Sequence, residues 1–285
     1  MSDAASVCPD EPASNGTSAL LSALEISAGA GVELTERLSA GANIMLGNAT
    51  FDGPFVGLTA AAYDYALRGS IGVSYQLGCN TTLGFYYQTR QRFNFDDAVR
   101  LELPGPLPTI IEDVDVDLPR NFGWGIAHDS LMGGRLLLAV DLLYKQWSEA
   151  TLFEAIYEDQ FVVQVGAQYQ WSDRVRLRLG YAFAEDAMRS NVGVTAGGVT
   201  PPGSAAAIEY IQAQFAAINE HRISAGVGIK DILPNVDLDI MAGGMFEASE
   251  DFGPFSSASV ESYWIGTGFT WRFGGPCCNQ EAELE

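Results

Sequence analysis

The feature that most constrains this chain is an alternation of apolar side chains with small or polar ones, which recurs along most of its length. Between Leu24 and Leu34 every second residue is apolar, and the residues between them are Glu, Ser or Gly. Leu67–Leu77, Leu136–Tyr144 and Phe161–Trp171 follow the same rhythm. Because successive side chains of a strand point to opposite faces, this period predicts strands. Ten such segments are clear, and Phe122–Ile126 indicates an eleventh, so the chain is predicted to be nearly all β.

The connections between these segments are alternately short and long. Turn-like connections such as Gly78–Thr82 and Ser172–Arg174 alternate with long ones. The long connections are Gly47–Tyr65, Phe93–Asp117, Gln146–Asp159, Glu185–Glu220 and Ala248–Glu261. Only Ala205–Asn219 has a helical composition within them. An up-and-down meander with tight turns at one end and long loops at the other is typical of an outer-membrane barrel.

A soluble β-sandwich also alternates, so other features must distinguish it from a membrane barrel. The strand cores run to about 10 to 13 residues, which is long for a soluble strand and suits a tilted membrane-spanning one. The polar stripes are rich in Gly and Gln, which cover a solvated face poorly. Aromatic residues such as Tyr75, Tyr144 and Trp171 stand at strand ends, as in interfacial girdles. These features favour an antiparallel transmembrane β-barrel over the sandwich.

Composition excludes several functions. The 36 acidic residues against 15 basic ones give a formal net charge of -21, which argues against nucleic-acid binding. Only two histidines are present, which leaves little room for a His-rich metal site or a His-dependent enzyme. We expect no metal site and no enzymatic activity, and passive passage through a membrane barrel implies no cofactor. His128 and Ser130 lie together in a predicted turn rather than on the outer face, where a lipid hydrolase would need them. The first 17 residues have no basic residue and no apolar core, so we expect any export signal to be missing.

Five segments resemble the FadL-type outer-membrane transporters of long-chain fatty acids and other hydrophobic compounds. They are LPRNFGWGIAH (Leu118–His128), AVDLLYKQWSE (Ala139–Glu149), VRLRLGYAF (Val175–Phe183), HRISAGVGI (His221–Ile229) and IGTGFTWRF (Ile265–Phe273). The resemblance implies a monomeric barrel in the bacterial outer membrane, surrounded by lipid, that takes up hydrophobic molecules passively. The runner-up is a structural or adhesive outer-membrane barrel without transport.

The chain also departs from that family. The resemblance implies fourteen strands and an N-terminal hatch, whereas eleven strands and no hatch are visible in the sequence. We therefore expect the chain to lack the first strands and the hatch of such a protein. The expected organisation is a disordered segment over residues 1–21, a barrel over 22–273 and a tail over 274–285.

Two groups of residues are candidates for ligand binding. Two long loops carry apolar residues, and the resemblance implies that such loops form an outer groove for hydrophobic capture. A run of arginines should line the lumen, where it could attract a carboxylate. The candidates are Phe51, Phe55, Leu58, Leu103 and Ile110 in the loops, and Arg174, Arg176 and Arg178 in the lumen. The alternatives are that the loop residues pack on each other as a cap, and that lumen charges pair with one another.

Two further groups have weaker interpretations. Glu112, Asp113, Asp115 and Asp117 form an acidic run that could bind a divalent cation, although a solvated acidic surface is the simpler reading. Cys79 lies in a short turn, and Cys8, Cys277 and Cys278 lie near the termini. The adjacent Cys277 and Cys278 do not match the spacing of a zinc site. A disulfide from Cys8 to the tail would suit an oxidising periplasm, and the sequence leaves free thiols as the alternative.

Overall fold

The computed structural model describes residues 2–3, 18–52, 62–101, 110–196, 205–254 and 256–272. Fourteen strands lie within these ranges. They are β1 (Ser2–Asp3), β2 (Ser18–Thr35), β3 (Leu38–Asp52), β4 (Ala62–Leu77), β5 (Thr81–Gln88), β6 (Gln91–Leu101), β7 (Ile110–Leu118), β8 (Arg120–Ser130), β9 (Leu136–Gln146), β10 (Gln160–Gln170), β11 (Val175–Ala184), β12 (His221–Leu233), β13 (Val236–Phe252) and β14 (Ser256–Trp271). None of the described helices has the length and apolarity needed to cross a bilayer.

Eleven strands form one antiparallel meander, which we call the wall. Its order is β2-β3-β4-β5-β8-β9-β10-β11-β12-β13-β14, and the two-residue β1 pairs with the start of β2. The predicted all-β, eleven-stranded meander is therefore confirmed. Within the described strands, β14 forms one edge of the wall, while β2 and its short partner β1 form the other. The tight turns lie at one end of the wall, the turn end, and the longer connections at the other, the loop end.

The prediction of a long loop over Phe93–Asp117 is wrong. Most of this segment belongs to a hairpin, in which β6 and β7 pair with each other as a separate two-stranded sheet. Phe93 and Phe95 are buried and alternate with exposed polar residues, as Val114 and Val116 do on the other strand. A two-residue period with one buried face is the pattern of a strand, and here it overrides the loop-like composition of the segment.

The other long connections are also partly ordered. β3 continues to Asp52 and β4 begins at Ala62, so both strands extend into the expected loop. β13 ends at Phe252 and β14 begins at Ser256, which reduces the expected connection over Ala248–Glu261 to a turn that contains Gly253 at φ +65°. The predicted helix is present, but it is shorter, over Ala205–Gln214.

Apolar side chains of the wall point outward. Leu67 is 63% exposed and Ile265 is 78% exposed, although both lie in the middle of paired strands. The residues between the exposed ones are small or polar, as at Ser70 and Gly72. A soluble sandwich would bury the apolar stripe, so this orientation is that of a barrel whose outside faces an apolar solvent.

The buried core lies at the loop end and not inside the wall. It comprises the strands of the hairpin, residues 147–159, the described residues 185–196 and 205–220, and the adjoining ends of β3, β4 and β13. We call residues 147–159 the capping loop, residues 185–196 and 205–220 the second loop, and these two loops with the hairpin the cap. Phe95, Ile156 and Ile208 are fully buried there. The cap therefore packs like a small soluble protein on top of the wall.

Candidate ligand-binding site

A cavity of about 350 Å³ lies between the cap and the loop end of the wall, and we call it the pocket. Wall strands supply Leu21, Lys145, Gln160 and Arg222, the capping loop supplies Trp147, Phe153 and Tyr157, and the second loop supplies Ala187, Gln214, Phe215 and Ala217. A concave site that is mostly apolar and carries a few polar groups has the composition of a small-molecule site.

The roof of the pocket is a cluster of aromatic rings. Trp147 lies edge-on to Phe153 and Tyr157, with ring centroids 5.1 and 5.0 Å apart, and Phe153 stacks on Tyr157 at 5.3 Å. Phe215 approaches Phe153 from the second loop with its centroid 6.2 Å away. Edge-to-face and stacked pairs at these distances are favourable beyond the area that they bury. The four rings therefore form a rigid apolar surface above the cavity.

The wall side of the pocket carries two cations. Lys145 lies at the end of β9 and Arg222 at the start of β12, and they are close enough to repel each other electrostatically. Among the described residues, neither is recorded in an ion pair. Trp147 adds a buried indole Nε1 for which the described residues provide no hydrogen-bond acceptor. This group of donors without a matching carboxylate suits a ligand that brings an acceptor or a negative charge.

The capping loop is closed at its base by Asp159. Its carboxylate accepts hydrogen bonds from the Tyr144 hydroxyl and from the backbone N–H of Ser148, the latter at 2.8 Å. Burial would raise the pKa of this carboxyl, but these hydrogen bonds outweigh burial and lower the pKa. Farther along the loop, the Tyr157 hydroxyl donates to the Phe215 carbonyl, and burial raises the pKa of Tyr157. Tyr157 therefore remains a neutral donor that joins the two loops.

The predicted apolar loop residues are placed only in part. Phe51 is buried at 1% exposure and stacks on Phe95 of the hairpin with centroids 5.3 Å apart, so it packs within the cap and does not line an open groove. Ile110 begins β7 opposite Leu101, and its side chain is not described. Phe55, Leu58 and Leu103 lie outside the described residues.

The three predicted arginines lie away from the pocket, toward the turn end. Arg174 is exposed in the turn before β11, and Arg176 is partly buried on that strand. Arg178 donates to Gln168 at 2.9 Å and forms an ion pair with Asp239 across the inner face of the wall. The arginines and Phe51 therefore do not share a single cavity, and their roles in ligand binding stay predictions.

The acidic run is part of the hairpin, and Cys79 is the one cysteine within the described residues. Asp113 and Asp115 accept hydrogen bonds within the hairpin, from the Asp97 backbone and the Asn94 side chain. No group of potential metal ligands occurs in the described part of the chain. Cys79 is exposed and free in its turn, and Cys8, Cys277 and Cys278 lie outside the described residues.

The aromatic residues of the pocket were not predicted as a site. Lys145 and Arg222 fall on the inward parity of their strands, so the alternation already places both in the lumen. Trp147, Phe153 and Phe215 follow no such period, because they belong to irregular loops. The available signal was an aromatic density in the capping loop that a solvated loop does not need.

Among comparisons with known proteins, only solved structures match this chain. No protein-family model matches the sequence, and no curated protein matches it. Several of the solved structures that match are FadL-type outer-membrane transporters, so the resemblance inferred from the sequence is confirmed at the level of the fold. Two toluene transporters and a FadL homologue among them are at most 15% identical to the chain, a level at which the likeness establishes a shared barrel fold alone.

Three of these structures show the extent of the likeness. The P. putida toluene transporter TodX is 15% identical, with a TM-score of 0.61 over 91% of this chain and 72% of that one. The Ralstonia pickettii toluene transporter TbuX is 15% identical, with a TM-score of 0.55 over 89% and 68%. A Pseudomonas aeruginosa FadL homologue is 12% identical, with a TM-score of 0.57 over 87% and 66%.

Proposed function

We propose that this chain is a monomeric channel of the bacterial outer membrane for passive uptake of hydrophobic compounds, including carboxylated ones such as long-chain fatty acids. The observation that carries the proposal is the pocket, in which an aromatic roof faces Lys145 and Arg222. The outward apolar stripe of the wall supports a lipid environment. The proposal assigns binding and passage to the protein and no chemical step.

The pocket explains how an amphipathic anion would be held. The rings of Trp147, Phe153 and Tyr157 would cover the hydrocarbon chain, and the two cations would hold the carboxylate. Below the pocket, the inner face of the wall combines small residues, among them Gly166, Gly180 and Gly226, with the polar side chains of Gln168, Arg178 and Asp239. The glycines leave space between these side chains for a molecule that moves toward the turn end. The toluene transporters with this fold suggest neutral hydrocarbons as a second group of cargo.

The test is a comparison of two ligands that differ in the head group alone. Protein refolded in detergent is titrated with oleate and with oleyl alcohol while tryptophan fluorescence is recorded. Replacing both cations, Lys145→Ala with Arg222→Ala, should weaken oleate binding about tenfold and leave the alcohol unchanged, because only the carboxylate gains a charge-assisted hydrogen bond. Lys230→Ala is the matched control, since Lys230 lies on β12 near the turn end.

Uptake is measured separately in liposomes that contain the protein. Protein-dependent entry of oleate into the vesicle lumen would support the channel, and equal entry with empty vesicles would refute it. Equal affinity of the wild type for oleate and oleyl alcohol would refute recognition of the carboxylate but would remain consistent with uptake of hydrophobic compounds. The packed cap also suits a structural barrel, which would bind neither ligand and transport neither.

A further inference from the structure

The hairpin contacts the capping loop through a buried aspartate, Asp117. Along β7, Asp113 and Asp115 are exposed, whereas Asp117 on the same face is only 3% exposed. The capping loop covers it there. The Asp117 backbone N–H donates to the Thr151 carbonyl at 3.0 Å, and the Thr151 hydroxyl donates to the Asp117 carboxylate at 3.1 Å. Two hydrogen bonds therefore join one residue of the hairpin to one residue of the loop.

The same carboxylate organises the base of the hairpin. Arg90, which precedes β6, places Nη1 3.3 Å from the Asp117 carboxylate and donates from that nitrogen to the Glu149 carbonyl. Arg90 thus touches the hairpin base and the first turn of the capping loop together. Arg92 stabilises the charged form of Asp117 electrostatically, and Asp115 destabilises it. Arg120 pairs with the Glu149 side chain at 2.9 Å and completes the charged surroundings.

The hairpin end of this contact is anchored to the wall. Arg68 of β4 is 7% exposed, and its guanidinium donates to the carbonyls of Thr89 and Pro119, at 2.8 and 2.6 Å. These two residues are the points where the chain leaves the wall for the hairpin and returns to it. Gln91 adds a hydrogen bond from Nε2 to the Ala66 carbonyl at 3.0 Å. The base of the hairpin is therefore a fixed reference for whatever it contacts.

The other end of the contact leads to the pocket. Thr151 lies between Trp147 and Phe153, both of which line the cavity. Its neighbours Ala150 and Leu152 are buried, and Leu152 adopts φ +74°, a conformation that costs energy for a residue with a branched side chain. A loop with such a turn keeps its form only while its surroundings hold it. Thr151 is the position at which the hairpin holds it.

We propose that Asp117 is a positioning residue of the pocket, and that its contact with Thr151 couples the hairpin to the aromatic roof. The proposal rests on the proposed function, because it concerns ligand binding in the same pocket. Burial raises the pKa of Asp117 despite the Thr151 hydrogen bonds, which means that the negative charge of this carboxylate costs free energy in the folded protein. A carboxylate in such a place adds little to stability and instead fixes one geometry of the loop.

The test is a double-mutant cycle on ligand affinity. Thr151→Val removes the hydroxyl at nearly constant volume, Thr151→Ser retains it, and Asp117→Ala removes the acceptor. Oleyl alcohol is the probe, because it has no charge for Lys145 or Arg222 to bind. Losing a hydrogen bond to a carboxylate should weaken binding about threefold to tenfold in Thr151→Val and in Asp117→Ala. Thr151→Ser should restore wild-type affinity.

The cycle separates positioning from general destabilisation. If the two residues act through one contact, the double variant should bind no worse than either single variant. Asp115→Ala is the matched control, since it removes a neighbouring acid on the hairpin and should be additive with Thr151→Val. Each variant must retain the wild-type difference in gel mobility between boiled and unboiled samples, which reports the intact wall.

Three results would overturn the proposal. They are unchanged affinity in Thr151→Val, full additivity with Asp117→Ala, or equal losses in Thr151→Ser and Thr151→Val. If the wild type binds no probe at all, the proposed function fails first. If the wild type binds and these variants bind equally well, the proposed function stands and the coupling falls.

Discussion

The cap and the wall orient their apolar residues in opposite directions, although one chain builds both. In the cap, apolar side chains point at each other, and Phe95, Val114 and Ile156 have no exposed surface. In the wall they point outward, and Ile26 is 70% exposed. The cap therefore follows the rule of a protein in water and the wall follows the rule of a protein in lipid.

The change between the two rules occurs within single strands. On β3 the outward residues Ile44 and Leu46 are exposed and apolar, but the outward residue Thr50, nearer the loop end, is polar. On the inner face the order is reversed, since Asn43 is polar while Phe51 is buried under the hairpin. The apolar stripe thus crosses from one face of the strand to the other. This crossing marks where an apolar solvent should end and the cap begin.

The largest effect should come from opening a cavity in the cap. Phe153 is 4% exposed and contacts the rings of Trp147, Tyr157 and Phe215. We expect Phe153→Ala to destabilise the cap by about 3 to 5 kcal/mol, as is usual for a buried Phe. Hydrogen exchange of the cap in refolded protein would measure it. Leu67→Ala is the control, because Leu67 faces outward and leaves no internal cavity; equal losses in both variants would contradict the comparison.

A charge placed on the outer face of β3 should locate the border of the apolar solvent. Arginine at the bilayer midplane of a barrel costs about 2 to 4 kcal/mol and near the interface about 0 to 1 kcal/mol. Ile44→Arg should therefore reduce the free energy of unfolding in lipid much more than Thr50→Arg. The two sites share a strand and a face, and only their depth differs. Similar costs at both positions would place the border elsewhere.

The sequence predicts the wall better than the cap for a physical reason. A wall strand is specified by a local period of two, which Leu136–Tyr144 and Phe161–Trp171 carry within themselves. The hairpin carries the same period, at Phe93 and Phe95 and again on β7, but the two halves are separated by a stretch with three prolines, Pro104, Pro106 and Pro108. Nothing local shows that these halves pair with each other or cover β3.

The pocket is harder still to predict. The inward parity of their strands assigns Lys145 and Arg222 to the lumen from the sequence alone. Bringing Trp147 and Phe153 over them depends on two short 3₁₀ turns and on the positive φ of Leu152. Those conformations are imposed by the hairpin and the second loop, so they result from packing between distant parts of the chain.

Arg68 provides the next test, because it joins the two regions. It is the buried cation that donates to the carbonyls on both sides of the hairpin. Arg68→Met keeps an unbranched side chain but removes the donor to the buried Pro119 carbonyl and to the partly buried Thr89 carbonyl, which should cost about 1 to 3 kcal/mol in hairpin docking. The measurement is the rate of proteolysis within residues 91–118. Arg37→Met, in an exposed turn at the other end, should leave that rate unchanged.

Acid should loosen the cap at the base of the capping loop. The folded-state pKa of Asp159 is lowered, so its contribution to stability is present above the unfolded-state pKa and is lost as the pH falls through the folded-state value. Asp159→Asn should remove this part of the pH dependence below the ordinary pKa of an aspartate. Trp147 fluorescence as a function of pH would report it, because Trp147 begins the loop. An identical acid profile in the variant would show that other groups control the loop.

The smallest effect should come from the ion pair within the wall. Arg178 and Asp239 are about 40% exposed, whereas Asp117 in its pair with Arg90 is 5% exposed. An exposed pair usually contributes about 0.2 to 1 kcal/mol and is screened by salt. Asp239→Asn should therefore change the unfolding midpoint in urea slightly at low salt and hardly at all at 1 M salt. A larger loss that persists at 1 M salt would mean that the lumen excludes water around this pair, and that the wall, like the cap, depends on buried charges.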